Sequence, residues 1–299
     1  MNNQEERRSN QKRTRRGQKK KPKEVKIYYC NINGFKSKQE SLRTIVDNLQ
    51  PKIIVLCETK LASGQQIKKI LPEYSVSARG IKAGKGGIAI AVKLQTFHAV
   101  LDVTNSENKN ILATRVQMAT STVRFIAAYA PQETEAVDIR EHFFNELEVE
   151  ITKCEIDGEL PFVIGDMNAK LEEEGGKVEP ISSNGKLLMN VLNNHCVDIL
   201  NYNEKCEGRW THVIRTTGAQ SVLDYGIVDQ KITKSVTDVV IDEQCIFCPF
   251  RMIKKKGADE PTFSDHNAMI VTLEKEHSMK KTRTEMGWKI TKESLQVIF

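Results

Sequence analysis

Six short stretches of this 299-residue sequence set a residue of catalytic type beside an apolar run. YYC leads into Asn31, VLC into Glu58, IAA into Tyr129, and PFVIG into Asp166 with Asn168 two positions later. Asp224 lies inside SVLDYGIV, and Asp265 and His266 stand immediately before NAMIVTL. Taken singly, each has an ordinary explanation, since Asp and Asn form turns, a Glu caps a helix and a Tyr packs amphipathically. Taken together they define a narrow chemistry. Oxygen donors from Asn31, Glu58 and Asp265 suit a hard cation, Mg²⁺ or Mn²⁺, that keeps its waters and bridges to a phosphate, whereas zinc would ask for more His or Cys. Beside such an ion Asp166 would take a proton from an attacking water. Asn168, His266 and Tyr129 would donate hydrogen bonds to the charge that builds on phosphate oxygens in the transition state. Asp224 would hold the His266 imidazole in its donor form.

For these residues to meet, the strands that carry them need particular directions. VKIYYC, KIIVLC, VRFIAAY and PFVIGD read as strands of one orientation, which puts their polar tips on one edge. The strands SVLDYGIV and NAMIVTL carry their polar residues at or before the start, so they must run the other way, as a mixed sheet allows. YSVSA, GIAIAV, ILATRVQM, VDILNY and SVTDVVI read as further strands. Helices are predicted from a capping-box pattern at Ser37–Glu40, leading Leu42, Ile45, Val46 and Leu49 on one face as far as Pro51. Another spans 137–153, with Ile139, Phe143, Leu147 and Ile151 as its stripe, and a third lies in GKLLMNVLNNHC. Many strands with few helices, in no strict alternation, predict an α+β domain of two sheets packed face to face with helices outside. No repeat of solenoid period occurs. Residues 172–176 and 254–257 read as exposed loops.

Composition narrows the setting. The chain is 39% hydrophobic and 28% charged, ordinary for a globular protein, and no apolar stretch approaches the roughly 18 residues of a membrane span. Seven cysteines at irregular spacing fit reduced thiols, hence an intracellular and, with the basic tail, a nuclear protein. The formal charge of +6 is unevenly spread, because Arg7 to Lys23 holds ten of the 45 lysines and arginines. Having nothing apolar to bury, residues 1–23 are expected to be a disordered tail that contacts phosphates. From about residue 275 the pattern of strands stops, so 275–299 reads as a linker or connector after a domain at 24–274. Competing motifs fail. Gly80 to Lys85 lacks the spacing of a phosphate-binding loop, no Gly-Asn-His follows Gly165-Asp166, and Cys245-x-x-Cys248 is an isolated pair that leaves a structural zinc without its other ligands.

In order, NINGFKSK, CETKL, AAYAPQ, GDMNAK, SVLDYGIV and SDHNAMIV resemble the motifs of the endonuclease/exonuclease/phosphatase superfamily, over about residues 24–274. The resemblance implies a four-layered αββα sandwich and a Mg²⁺-dependent phosphodiesterase. QPKIIVLCETKL and WTHVIRTTGAQSVLDYGIV look most like the apurinic-like endonuclease domain of non-LTR (LINE-type) retrotransposons. That likeness implies DNA as partner, a nick with a 3′-hydroxyl that primes reverse transcription, Thr211 near the cleaved backbone and Ser264 in substrate binding. MGWKITKESLQVIF looks like the start of a connector, and no Tyr-x-Asp-Asp of a reverse transcriptase is present, so a fragment, a decayed copy and a free-standing nuclease are alternatives. A DNA-repair apurinic endonuclease is another. An inositol phosphatase fits poorly, because Val163-Ile164 and Ala169-Lys170 stand where such enzymes typically carry Trp before Gly-Asp and Arg after Asn. A non-catalytic nucleic-acid binder is the alternative of a different class, and the complete set of metal and phosphate residues speaks against it.

Overall fold

The computed structural model describes residues 24–80, 84–97, 99–104, 106–171, 181–255 and 257–274. The basic tail, the 172–176 loop and the 275–299 segment expected from sequence lie outside the described residues. Two sheets form the centre. The first has the order β10-β14-β17-β1-β2-β4-β3, from Cys206–Glu207 (β10), Val236–Ile241 (β14), Met269–Leu273 (β17), Val25–Asn31 (β1), Ile53–Cys57 (β2), Ile88–Lys93 (β4) and Tyr74–Arg79 (β3). The second runs β5-β6-β7-β8-β13-β9, from Val100–Asp102 (β5), Ile111–Gln117 (β6), Thr122–Tyr129 (β7), Leu160–Asp166 (β8), Asp224–Asp229 (β13) and Val197–Ile199 (β9).

Three apolar layers follow from the period-2 geometry of strands buried on both faces. In β1, Ile27 and Tyr29 point between the sheets, where they meet Val55, Phe125, Phe162 and Ile164. Tyr28 and Cys30 point outward, against Leu42, Ile45 and Val46 of α1 (Gln39–Leu49) and Ile67 of α2 (Gln65–Ile70). Outside the second sheet, Ile126, Val163 and Ile227 pack on Phe143, Leu147 and Ile151 of α3 (Val137–Ile156) and on Leu188 and Val191 of α4 (Ser183–Asn193). The molecule is therefore the four-layered αββα sandwich expected from the sequence.

Strand directions also match. β1 is parallel to β2 and β7 to β8, whereas β17 is antiparallel to β1 and β13 to β8. Val25 pairs with Leu273 at the far end of β1, and Asp224 sits directly opposite Asp166 at the near end of β8.

Local differences have local causes. Ser37 does not cap α1, whose N-cap is Lys38 without a side-chain bond. Ser41 there binds Lys38 and Phe250 instead, tying the helix to a hairpin of Phe250–Lys255 (β15) and Ala258–Phe263 (β16). That hairpin replaces the loop expected around Lys254 and Lys255, though it is largely exposed. Ile139 is 49% exposed and leaves the stripe of α3, because Arg140 takes the buried position and donates to Glu135 O and Asn184 Oδ1. VDILNY is a three-residue strand followed by a 3-10 turn at Leu200–Tyr202. Two-residue strands at His212–Val213 (β11) and Gln220–Ser221 (β12) form a second small hairpin.

Candidate active site

At the edge where β1, β2, β7 and β8 end, the polar residues form two hydrogen-bonded chains that approach each other at Asp166 and His266. Tyr129 OH donates to Glu58 Oε1 at 3.0 Å. The Asn31 amide donates to the same oxygen at 3.2 Å and to Asp166 Oδ2 at 3.1 Å. His266 stands with Nε2 3.7 Å from Asp166 Oδ2 and Nδ1 2.7 Å from Asp224 Oδ2. Behind it, the fully buried Tyr29 donates its hydroxyl to the other Asp224 oxygen.

The backbone explains why these groups meet. Gly165 lets β8 lie so close to β7 that a Cβ there would fall 1.8 Å from Ala128 O. The chain then turns sharply: Asn168, at φ 43°, donates its N–H to Asp166 Oδ1 at 3.0 Å and its amide to Ala130 O at 2.8 Å. Glu58 sits at φ 51°, and the next residues bond to the glycine turn before β4, Thr59 to Gly87 O and Lys60 to Gly86 O. The loop after Asn31 is fixed by the buried Lys38, whose ammonium donates to Ile32 O and Asn33 O.

Electrostatics follow from burial. Asp166 is 2% exposed, and desolvation together with the neighbouring Asp224 pushes its carboxyl up to about 7, against the pull of His266 and the bonds from Asn168 N–H and Asn31. Burial disfavours a charged His266, but Asp224 and Asp166 outweigh it and raise the imidazole to about 10. Tyr129 is raised by burial and by Glu58, so it stays a phenol that donates. Asp265 is held well below the usual carboxylate range, first by its neighbour His212.

Two other expected residues, Thr211 and Ser264, are buried. Thr211, expected near the cleaved backbone, is fully buried, and its hydroxyl accepts the N–H groups of Leu223 and Asp224 at 2.9 and 3.0 Å. It holds the start of β13. Ser264, expected to bind substrate, is 1% exposed and donates to Asn31 O at 2.8 Å. Asp265 lies 3.7 Å from His212 Nε2. The acidic and His groups close enough to share an ion, among the described residues, are His212–Asp265–His266 and Asp166–Asp224–His266. Neither Glu58 nor the Cys245–Cys248 pair belongs to one, which leaves that pair without a further zinc ligand among these residues.

Sequence reading missed Tyr29, Lys38 and His212. A Tyr inside an apolar run reads as core, and a Lys within a helix start reads as surface. His212 carried a weak signal, adjacent to Thr211. Glu58 and Tyr129 open onto a cleft of about 470 Å³ with Lys60, Asn110 and Gln132 on its walls. A larger cavity of about 650 Å³, lined by Val25, Val123, Leu160 and Leu273 at the opposite end of the strands, contains none of these residues.

Known structures share this architecture. An AP endonuclease from Archaeoglobus fulgidus superposes with a TM-score of 0.62 at 18% identity, covering 83% of this chain and 99% of its own. The endonuclease domain of TRAS1, a telomere-specific non-LTR retrotransposon, gives 0.58 at 16%, covering 85% and 100%. The 3′ phosphatase NExo from Neisseria, solved with a product DNA hairpin, gives 0.62 at 16%, covering 83% and 98%. At these identities the likeness establishes the fold. No curated protein matches the sequence. The model of the endonuclease/exonuclease/phosphatase family matches residues 29–266, and with the αββα sandwich around the network just described, this chain belongs to that family.

Proposed function

We propose that the protein is a divalent-metal-dependent endonuclease that nicks duplex DNA, of the kind encoded by non-LTR retrotransposons, where the nick would prime reverse transcription. The observation that carries this reading is the hydrogen-bonded Glu58–Asn31–Asp166 line with His266, bonded to Asp224, 3.7 Å from Asp166, both Asp carboxylates being buried and His266 standing between them.

The donors fit a hard cation. Glu58 is a partly exposed carboxylate on the cleft, and half a turn of the Asn31 amide would present its oxygen beside it. Glu58 and Asn31, with Asp265, would hold Mg²⁺ or Mn²⁺, which would supply charge neutralisation at a phosphate oxygen. Asp166, poised near neutrality by burial, takes a proton from water as its oxygen attacks phosphorus and the bond to the 3′-oxygen breaks. His266, kept cationic by Asp224, and Tyr129 donate to the phosphate oxygens. Asn168 fixes the turn that aims Asp166.

The test is relaxation of supercoiled plasmid by purified protein. Nicking in Mg²⁺ that EDTA abolishes, with nicks that a DNA polymerase extends directly, is the expected result; equal nicking in EDTA overturns the metal assignment. The likeness to an AP endonuclease supports a second reading, repair of abasic sites. An abasic duplex cut about 100-fold faster than an intact one would favour it.

A further inference from the structure

The loop between β14 and β15 holds two cysteines that the hydrolytic chemistry does not use. Cys245 is partly exposed and Cys248 is buried, three residues apart in the sequence Cys-Ile-Phe-Cys-Pro. One turn organises both. The buried Asp242 carboxylate accepts the N–H groups of Ile246 and Phe247, while its backbone carbonyl accepts from Cys245 N at 3.1 Å and from Cys248 Sγ at 3.8 Å. Cys245 Sγ lies 3.9 Å from Asn267 Oδ1, and Cys248 Sγ lies 4.0 Å from His266 O. Arg215, from the β11–β12 hairpin, places a guanidinium N–H 3.3 Å from Cys245 Sγ. The same guanidinium donates to Ser264 O at 3.1 Å and to Asn267 Oδ1 at 3.1 Å, the residues that flank Asp265 and His266.

We infer that Cys245 is a peroxide-reactive thiol, resolved by Cys248 into an intramolecular disulfide that frees Arg215 of its contact with Cys245 Sγ and so reports oxidation to the hairpin beside the candidate active site. A cation aimed at the sulfur favours its thiolate, the form that reacts. Cys245 is accordingly lowered to about 7, first by the neighbouring Cys248 thiol and, against burial, by Arg215; Cys248 is raised, by Cys245 and by burial. The division of labour follows: the partly exposed thiolate attacks and the buried thiol resolves. Cys245 Sγ attacks one oxygen of hydrogen peroxide, the O–O bond breaks, and the departing hydroxide takes a proton to become water, leaving a sulfenic acid. Cys248 Sγ then loses its proton and attacks Cys245 Sγ; the S–S bond forms, the S–O bond breaks and a second water leaves. Two thiol hydrogens and two electrons pass to one peroxide.

The chemical test does not depend on the nuclease reading. At pH 7, with the reduced full-length protein, iodoacetamide should modify Cys245 about tenfold faster than the exposed Cys196, and Arg215→Gln should slow Cys245 several-fold. After limited peroxide, peptide mass spectrometry should find Cys245 joined to Cys248. Cys248→Ser should instead accumulate a Cys245 sulfenic acid trapped by dimedone, and Cys245→Ser should leave Cys248 reduced. Cys245 alkylating no faster than Cys196, or neither linkage nor sulfenic acid appearing, overturns the inference. So does a chelator that speeds alkylation of both cysteines, which would make the pair metal ligands. If the chemistry holds and plasmid nicking is measured alongside, oxidised protein should recover its rate on reduction, and Cys245→Ser should nick equally with and without peroxide.

Discussion

Asp224 is where the buried hydrogen bonds of the site converge: Tyr29 and His266 on its two oxygens, Thr211 on its N–H, Asn201 on its carbonyl. Tyr29→Phe removes one of these while keeping the ring in the core. It should cost about 1 kcal/mol of stability and lower kcat about tenfold through a less fixed His266, with KM nearly unchanged. An unaltered kcat would leave Tyr29 a packing residue. Asp166→Ala and His266→Ala should each lower nicking by roughly 10² or more while DNA affinity holds, as for loss of a base or a transition-state donor. Near-wild-type nicking by either returns them to turn and core residues. The strand-tip residues were legible because a polar side chain ending an all-apolar run has no packing reason to be there. The places of Thr211 and Ser264 were not, since nothing in a hydroxyl's sequence context tells whether it faces a substrate or a neighbouring backbone N–H.

Elements buried on both faces announce themselves as continuous apolar runs, which is why the two large sheets were legible down to strand direction. The β15–β16 hairpin was not, because its strands are exposed and charged and are held by backbone pairing, by Phe250 against Phe263 and by Ser41. Two contacts between elements invite substitution. At Gly165 any side chain meets the β7 backbone, so Gly165→Ala should force β7 and β8 apart; a loss of about 3 kcal/mol in a urea titration, or insoluble protein, is expected, and an unshifted midpoint would be the contrary result. Beneath α3, Arg124 of β7 is 1% exposed and bonds Glu159 and Asp157 at 2.6 Å, with Glu150 at 3.9 Å. Arg124→Ala strands two buried carboxylates and should cost about 3–5 kcal/mol. Arg124→Met combined with Glu150→Gln and Glu159→Leu should recover much of it if the cost is unpaired charge.

For the whole molecule, the uneven charge makes a prediction about affinity. Arg7 to Lys23 brings ten cations against a remainder that is slightly acidic, so removing residues 1–23 should weaken DNA binding and flatten its salt dependence, by about 0.9 in the log–log slope for each phosphate given up. Single-turnover cleavage at saturating protein should barely change. Equal slopes for the two proteins would leave nuclear import or solubility as the role of the tail. No helix among the described residues is long and apolar enough to cross a membrane. The pairing of Val25 with Leu273 has a different consequence, a topological one. The first and last strands of the domain are neighbours in the middle of one sheet, and Glu24 and Glu274 leave it side by side at the end away from the site. The fold is thus almost a ring, and where it is cut is a matter of indifference to its sheets. A permuted chain, with Glu24 and Glu274 joined through a short glycine linker and new ends opened at Gly257 in the β15–β16 turn, keeps every strand pairing of both large sheets. It should fold with the same circular dichroism spectrum and the same buried Tyr29–Asp224–His266 line.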